Sequence, residues 1–408
     1  MLYNLGTYIL ALFLRFFSLF NKKAKTGNTG RAETLEILKN KYDGKSPVIW
    51  FHCASLGEYE QGLPVFKILR ERYPKHFIVL SFFSPSGFIT RKNSPIADAV
   101  VYLPVDTPQN AKHFVKLLKP QLAVFVKYEI WANYLLELNR INCKTYLISA
   151  LFRKDQIYFK WYGSKLKQAL KSFELIFVQD NNSKQLLNNI GYKAAVIAED
   201  TRLDRVFQQL EQDNTLDWLA DFKQNDLLLV FGSTWPEDEK YIVKFINENS
   251  FQNLKFLVVP HEIKESHLNE LQKSIELPSI RFTNSDKGRT EASVMILDAI
   301  GYLSRTYAYA DIAYVGGAVG KSGLHNILEP AVFGIPIIIG NNYKRFPEAI
   351  KLTDFGGIIP IKNYAELSDN YFQLIQDENT RIKIGNVNEK YIKNNKGAVI
   401  QITDIIRI

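Results

Sequence analysis

Between residues 48 and 199 short apolar runs alternate with stretches of helical period. The runs VIWFH, FIVLSFF, AVVYLP, LAVFVK, TYLISA, LIFVQ and AAVIAE read as buried strands. Their alternation with helices predicts a parallel sheet covered on both faces. A polar, helix-prone stretch follows from Asp204 to Asp226. The pattern then restarts with LLLVFGS, KFLVVP, VMILDA, IAYVGG, IPIIIG and GIIPI. Two α/β sheets in series predict two domains, with the simplest boundary near residues 203–226. Ligands of such folds bind at the carboxyl ends of the strands and in clefts between domains. There is no repeat of fixed period and no low-complexity segment.

The first twenty residues break this pattern. Leu2 to Phe20 is strongly apolar, interrupted by Arg15 and followed by NKKAK, and no acid precedes Glu33. A cleaved secretory signal carries its basic residues before the apolar core; here the order is reversed. The length is just enough to span a bilayer. Arg15 is costly at the centre of a bilayer, although it can snorkel. A helix lying in the interface fits equally well, and a buried helix packed on the protein body is the third arrangement. Membrane attachment is the expectation. Lys22, Lys23 and Lys25 place the downstream chain on the cytoplasmic side.

Across 408 residues the formal net charge is +9. That favours an anionic partner: nucleic acid, an anionic lipid surface or a phosphorylated substrate. No arginine-rich run or RNA-binding signature is present, which argues against nucleic acid. The two cysteines, Cys53 and Cys143, lie in no CxxC or Cys/His spacing, so no metal site is expected. Buried free thiols in a reduced cytosolic compartment fit them.

Four segments carry candidate chemistry. The first strand runs into HCASLGE, which sets Ser55, Gly57 and Glu58 at its carboxyl end. Gly57 lets another group approach the backbone. Ser55 and Glu58 have the spacing of a capping box, so Glu58 is either a catalytic acid or a helix cap. Glu60 reads as a solvated first-turn residue. In FVKYEIWAN, Lys127 and Glu129 emerge at another strand end; an acid among apolar residues must be paired, with Lys127 or within a site. In VFGSTWPEDE, Ser233 and Thr234 end the first strand of the second domain, before a helix that begins after Pro236. Their hydroxyls bind phosphate or cap that helix. In YVGGAVGKSGLHNILEPAVFGIPIIIG, Gly316 and Gly317 open a loop containing Gly320, Lys321, Ser322 and Gly323. A helix is expected to start near His325, presenting amides to an anion. Asn326 and Glu329 fall on one face of it. The spacing matches neither GxxxxGK[ST] nor GxGxxG. His261 follows another strand end and is weak taken alone.

Taken together, SLGE, YLPVDTP, YEIWAN and GLHNILEPAVFGIPIIIG resemble, in order and over nearly the whole chain, the 3-deoxy-D-manno-octulosonic acid (Kdo) transferases of lipopolysaccharide synthesis. The apolar, basic N-terminus resembles their membrane anchor. The resemblance implies a GT-B fold: two Rossmann-like domains facing a cleft, with an N-terminal membrane-associated helix. The implied divisions are an anchor and basic linker at 1–30, an acceptor-binding domain at 31–203 and a nucleotide-sugar-binding domain at 204–408. The implied reaction moves Kdo from CMP-Kdo to a lipid A precursor with inversion, without a cofactor or an active-site metal. The implied place is the cytoplasmic face of the inner membrane, against its anionic surface. Glu58 matches the family's proposed general base, with Ser55, Gly57 and Glu129 in support. Ser233, Thr234, His261, Gly316, Gly317, Gly323, Asn326 and Glu329 would hold the donor.

This chain departs from the family at several points. The common ETELWPN reads VKYEIWAN, which keeps Glu129 but changes Lys127 and Ala132. The arginine of PRHP is absent from VVPHEI, where His261 stands in the run. GEL becomes GYL, and GGHN becomes GLHN. Two related readings stay open: a GT-B enzyme using a UDP-sugar on a lipid-linked acceptor, and a nucleotide-sugar epimerase. A non-catalytic, membrane-associated sugar-binding protein is the reading from another class.

Overall fold

A strand can be apolar along its whole length only when both faces of its sheet are covered. In β1 (Val48–Cys53) every residue is buried. Val48 and Trp50 enter one core; Ile49, Phe51 and Cys53 enter the core on the opposite face. The computed structural model describes residues 2–249, 253–284 and 288–408.

The contacts divide the chain into two units, one from the N-terminus to Asp204 together with Lys396–Ile408, the other Arg205–Asn395. In the first unit β1 is followed by β2 (Phe77–Phe82), β3 (Ala99–Tyr102), β4 (Leu122–Val126), β5 (Lys144–Ala150), β6 (Leu175–Val178) and β7 (Ala195–Ile197). They form one sheet in the order β3-β2-β1-β4-β5-β6-β7, and β1 is parallel to both neighbours, with Trp50 opposite Val79 and Ala123. The second unit carries β8 (Leu227–Thr234), β9 (Leu254–Pro260), β10 (Ser279–Arg281), β11 (Val294–Ile296), β12 (Ile312–Val315), β13 (Ile337–Gly340) and β14 (Ile358–Ile361). Their order is β10-β11-β9-β8-β12-β13-β14, and the pairs are again parallel. Each unit is a doubly wound α/β fold, as expected.

This order has a consequence for function. In a doubly wound sheet the strand order reverses at one place, and the crevice beyond the strand ends there is where ligands bind. In the first unit that place lies between β1 and β4. In the second it lies between β8 and β12.

Two details differ from the sequence-based expectation. β10 is an unforeseen edge strand: three residues, one of them Arg281, do not make an apolar run. The C-terminal helix Ala398–Ile405 was expected with the second domain. Instead Ala398, Val399, Ile402 and Ile406 join the core of the first unit, on the face of Ile49 and Phe51. The Arg72 guanidinium donates to the carbonyls of Thr403 and Ile406, the latter at 3.2 Å.

At the N-terminus, α1 (Leu2–Phe17) and α2 (Lys22–Lys41) precede the sheet. Only Thr7 of α1 is buried. Leu5, Ile9, Leu12, Phe13 and Phe16 are exposed, so α1 is not the buried helix that was one of the three expected arrangements. Among the described residues no helix is long and apolar enough to cross a membrane.

Candidate active site

At the end of β1 the chain turns through Ser55, in extended conformation, into α3 (Leu56–Arg72). A capping box would use the Ser55 hydroxyl to accept a backbone N–H. Ser55 makes no such bond; its hydroxyl donates to the Glu58 carboxylate instead. Glu58 is partly exposed in the first turn of α3. Gly57 is exposed, and a Cβ there would meet only Ser55 Oγ, at 3.8 Å. No neighbour demands glycine at this position. Glu60 is not simply solvated, because it pairs with Arg91 at 2.8 Å.

Glu129, arriving from β4 on the other side of the reversal, is 8% exposed. Its Oε2 lies 3.1 Å from His52 Nε2 and accepts from Trp131 Nε1 at 2.6 Å. His52 is the penultimate residue of β1 and wholly buried. Its Nδ1 lies 2.8 Å from the Ser81 hydroxyl, whose oxygen accepts from Trp50 Nε1 at 2.7 Å and whose proton is left for Nδ1. A carboxylate only accepts, so Glu129 places the histidine proton on Nε2. The Lys127–Glu129 pair allowed by the spacing is not formed. Lys127 sits with its ammonium over the Tyr128 ring, 5.4 Å from the centroid. Glu58 and Glu129 converge near Cys53: burial pushes that thiol up, and these two carboxylates, with Glu60, push it further. Both cysteines are free and buried.

Backbone strain marks these strand ends. Lys127 after β4, Ser149 in β5 and Ser233 in β8 have φ of 65°, 53° and 53°. Non-glycine residues adopt that region rarely and at a cost of roughly 1–3 kcal/mol, and such outliers cluster at functional sites. The other positive-φ side chains, such as Lys119 and Asn142, sit in ordinary turns away from these ends.

In the second unit the reversal is built from glycines and one acid. Gly316 closes directly on β8, and a Cβ there would lie 2.4 Å from the Ser233 carbonyl oxygen. Gly317 has φ of 95°, and its Cβ would lie 2.1 Å from the Gly323 carbonyl oxygen. Gly323 N donates back to Gly317 O at 3.1 Å, and His325 N to Gly316 O at 3.2 Å. The expected helix therefore starts later, at Leu328 (Leu328–Ala331), because the amide of His325 is already engaged in the loop. Asn326 and Glu329 do share a face: Asn326 Nδ2 donates to Glu329 Oε1 at 3.0 Å, and Asn326 Oδ1 accepts from Leu328 N at 3.2 Å.

Asp238, unforeseen from the sequence, ties the loop to β12 and to the turn that follows β8. Its carboxylate accepts from Gly317 N at 2.8 Å, Trp235 N at 3.0 Å and the Tyr314 hydroxyl at 2.7 Å. Burial pushes its carboxyl up against these three bonds. Thr234 is buried and donates to Glu239 at 2.9 Å, so it works behind the surface, while Ser233 is half-buried. Trp235 stacks on the exposed His261 ring at 4.7 Å and donates Nε1–H to His325 Nε2 at 2.9 Å. His261 and His325 lie 4.4 Å apart. Burial, then His261, pull the His325 pKa down to about 4. At neutral pH its single proton is therefore on Nδ1, since Nε2 accepts. Trp235 was legible as an aromatic between a strand end and a proline; its partner ninety residues on was not.

The family described as 3-deoxy-D-manno-octulosonic-acid transferase (kdotransferase) matches residues 29–205. The chain is 30% identical to a 3-deoxy-D-manno-octulosonic acid transferase of Chlamydophila psittaci over 312 residues, covering 74% of this chain and 71% of that one. It is 26% identical to the transferase of the same description from Haemophilus influenzae over 414 residues, covering 97% and 95%. Among solved structures, a UDP-GlcNAc 2-epimerase from Neisseria meningitidis bound to UDP-GlcNAc aligns with TM-score 0.60 at 14% identity, over 88% of this chain and 99% of that one. That last likeness concerns the fold alone.

Proposed function

The chain belongs to the 3-deoxy-D-manno-octulosonic acid transferase family of glycosyltransferases, and from that premise we propose that it moves Kdo from CMP-Kdo to a lipid A precursor with inversion, with Glu58 as general base. The observation that carries the proposal is the contrast between the two carboxylates at the first reversal. Glu129 is buried and held by His52 and Trp131. Glu58 is partly exposed, and its carboxylate accepts from the Ser55 hydroxyl one turn away.

The acceptor hydroxyl attacks the anomeric carbon of Kdo, and its proton goes to a Glu58 oxygen as the bond to the CMP phosphate breaks. Glu129, fixed by a buried network, orients the acceptor. The departing phosphate gains charge, and preorganised donors in the second unit offset it. The Ser233 hydroxyl and the Nδ1–H of His325 are suited to that role. The three hydrogen bonds accepted by Asp238 hold the Gly316–Gly323 loop in place for the nucleotide. This route uses no metal and no cofactor. The exposed apolar side chains of α1, with Arg15 and the lysines beyond it, favour attachment at the anionic cytoplasmic face of the inner membrane.

The test is direct. Purified protein incubated with CMP-Kdo, generated in situ, and a tetraacyl lipid A precursor is expected to add the mass of one or more Kdo residues. Absence of product across several lipid acceptors refutes the proposal. CMP, rather than UDP, is expected to raise the unfolding temperature, since a ligand of the folded state stabilises it.

A further inference from the structure

A second exposed apolar feature lies outside the machinery described so far. In the segment after β5, Trp161 is 92% exposed, Tyr162 51% and Ile157 45%. Single exposed apolar residues are common, but a cluster of them marks an interaction surface. The backbone beneath is firmly built. Lys160 N donates to Ile157 O at 3.0 Å and Gly163 N to Lys160 O at 3.1 Å. Glycine is required at the close of this turn, because a Cβ on Gly163 would lie 1.9 Å from the Ile157 carbonyl oxygen. Tyr158 and Phe159 turn inward, with ring contacts to Phe152 at 5.5 and 5.9 Å. Trp161 and Tyr162 are thus held outward by a preorganised turn.

This turn adjoins α1. Leu2, Gly6 and Leu10 line, together with Ile157, Tyr162 and Leu166, one cavity of about 370 Å³. Lys165 donates to Asn4 and lies over the Tyr3 ring at 5.3 Å. The charge around the turn is mostly positive. Arg153, Lys154, Lys160, Lys167 and Lys171 are exposed, and Asp155 is the sole acid between residues 153 and 171.

We propose that the Ile157–Tyr162 turn is a second lipid-contacting element, which inserts Trp161 and Tyr162 into the headgroup region of an anionic bilayer beside α1. Tryptophan and tyrosine favour that depth, where an apolar ring and a polar tip are both accommodated. The surrounding lysines and arginine meet the anionic lipid. The inference rests on the membrane-attached reading of α1 and adds to it: a second contact lateral to the helix restricts rotation of the first unit about the helix axis. The strand ends that carry Glu58 and Glu129 would then keep one orientation to the lipid-borne acceptor.

The test uses the full-length protein and vesicles of phosphatidylethanolamine with phosphatidylglycerol. Trp161→Ser/Tyr162→Ser is expected to lower vesicle partitioning about tenfold, with an unchanged circular dichroism spectrum. Brominated lipids are expected to quench a tryptophan signal that is present in the wild type and missing from Trp161→Phe. Partitioning equal to wild type, or no quenching assignable to Trp161, overturns the inference while leaving α1 as the anchor. Failure of the wild type itself to bind vesicles overturns the membrane reading altogether. A lipid-independent dimer abolished by the double substitution would assign this surface to a second copy of the chain and also overturn the inference.

Discussion

At the end of β1, Gly57 stands where a Cβ would touch only Ser55 Oγ, at 3.8 Å; beyond the end of β12, Gly317 stands where a Cβ would collide with the Gly323 carbonyl at 2.1 Å. Both glycines follow an apolar strand at a reversal of strand order. They do different work. The second unit uses glycine to fold its loop back on itself and a buried acid, Asp238, to fasten it. The first unit uses a buried network from Trp50 through Ser81 and His52 to Glu129, and leaves Glu58 and its neighbouring glycine open. The first reversal is arranged around side chains that can act, the second around a backbone shape that can hold.

Substituting the two glycines sharpens this contrast most. Gly317→Ala forces both a clash and a left-handed alanine, and is expected to destabilise the second unit by about 3 kcal/mol and to abolish protection by CMP in thermal unfolding. Gly57→Ala, within the first turn of a helix, is expected to be neutral or stabilising by roughly 0.5–1 kcal/mol. Equal losses for the two would remove the distinction.

Asp106 offers the next largest effect. It belongs to the YLPVDTP stretch and is wholly buried. Its carboxylate accepts from Tyr3 of α1 at 2.6 Å and from the amides of Asn133 and Tyr134, both at 3.0 Å, at the start of the helix Ala132–Arg140. Asp106→Asn keeps one acceptor oxygen but turns the other into an amide donor facing one or two of these three donors, and is expected to cost about 1–3 kcal/mol. Faster proteolysis within α1 checks the loss of the Tyr3 tether; unchanged cleavage contradicts it.

Glu129→Gln breaks the first network at a single point. The His52 proton on Nε2 then faces a side chain that can present either an oxygen or an amide nitrogen. The expected result is a KM for acceptor raised about tenfold with CMP binding unchanged, the mark of a group that orients the acceptor. Lost CMP binding would move Glu129 out of that role.

A further effect is one of pH, and it has opposite sign in the two units. Burial raises the Asp106 pKa from 3.8 to about 6. A raised folded pKa means stability present at low pH and lost as pH climbs through 6. His325 is lowered from 6.5 to about 4; there the unfolded chain binds the proton more readily, so stability is present above 6.5 and lost as pH falls towards 4. Between pH 6 and 4 the first unit is expected to gain from Asp106 while the second loses from His325. Hydrogen exchange resolved by unit across that range checks it; equal trends in both, unaffected by His325→Gln, contradict it.

Much of this was legible in the residues. The seven strands of the first sheet announce themselves because parallel strands buried on both faces need unbroken apolar runs. β10 does not, being a short edge strand that contains an arginine. Nothing in AVIQITDI says which sheet it will cover, so the return of the C-terminal helix to the first unit lay outside any local pattern. The S-x-x-E spacing at Ser55 fits a cap and a reactive acid equally; the direction of the Ser55 hydroxyl excludes the capping box. Asp238 and His325 owe their roles to partners about eighty or ninety positions away along the chain, a distance across which periodicity carries no information.

The measurement that bears most directly on the division of labour is a paired one on Glu58→Gln: CMP binding by calorimetry and Kdo transfer by single-turnover mass spectrometry. Glu58 is expected to matter only to the proton, so CMP should bind as it does to the wild type while transfer slows by about 10²–10⁴-fold. Transfer near the wild-type rate, or loss of CMP binding along with it, would contradict the account.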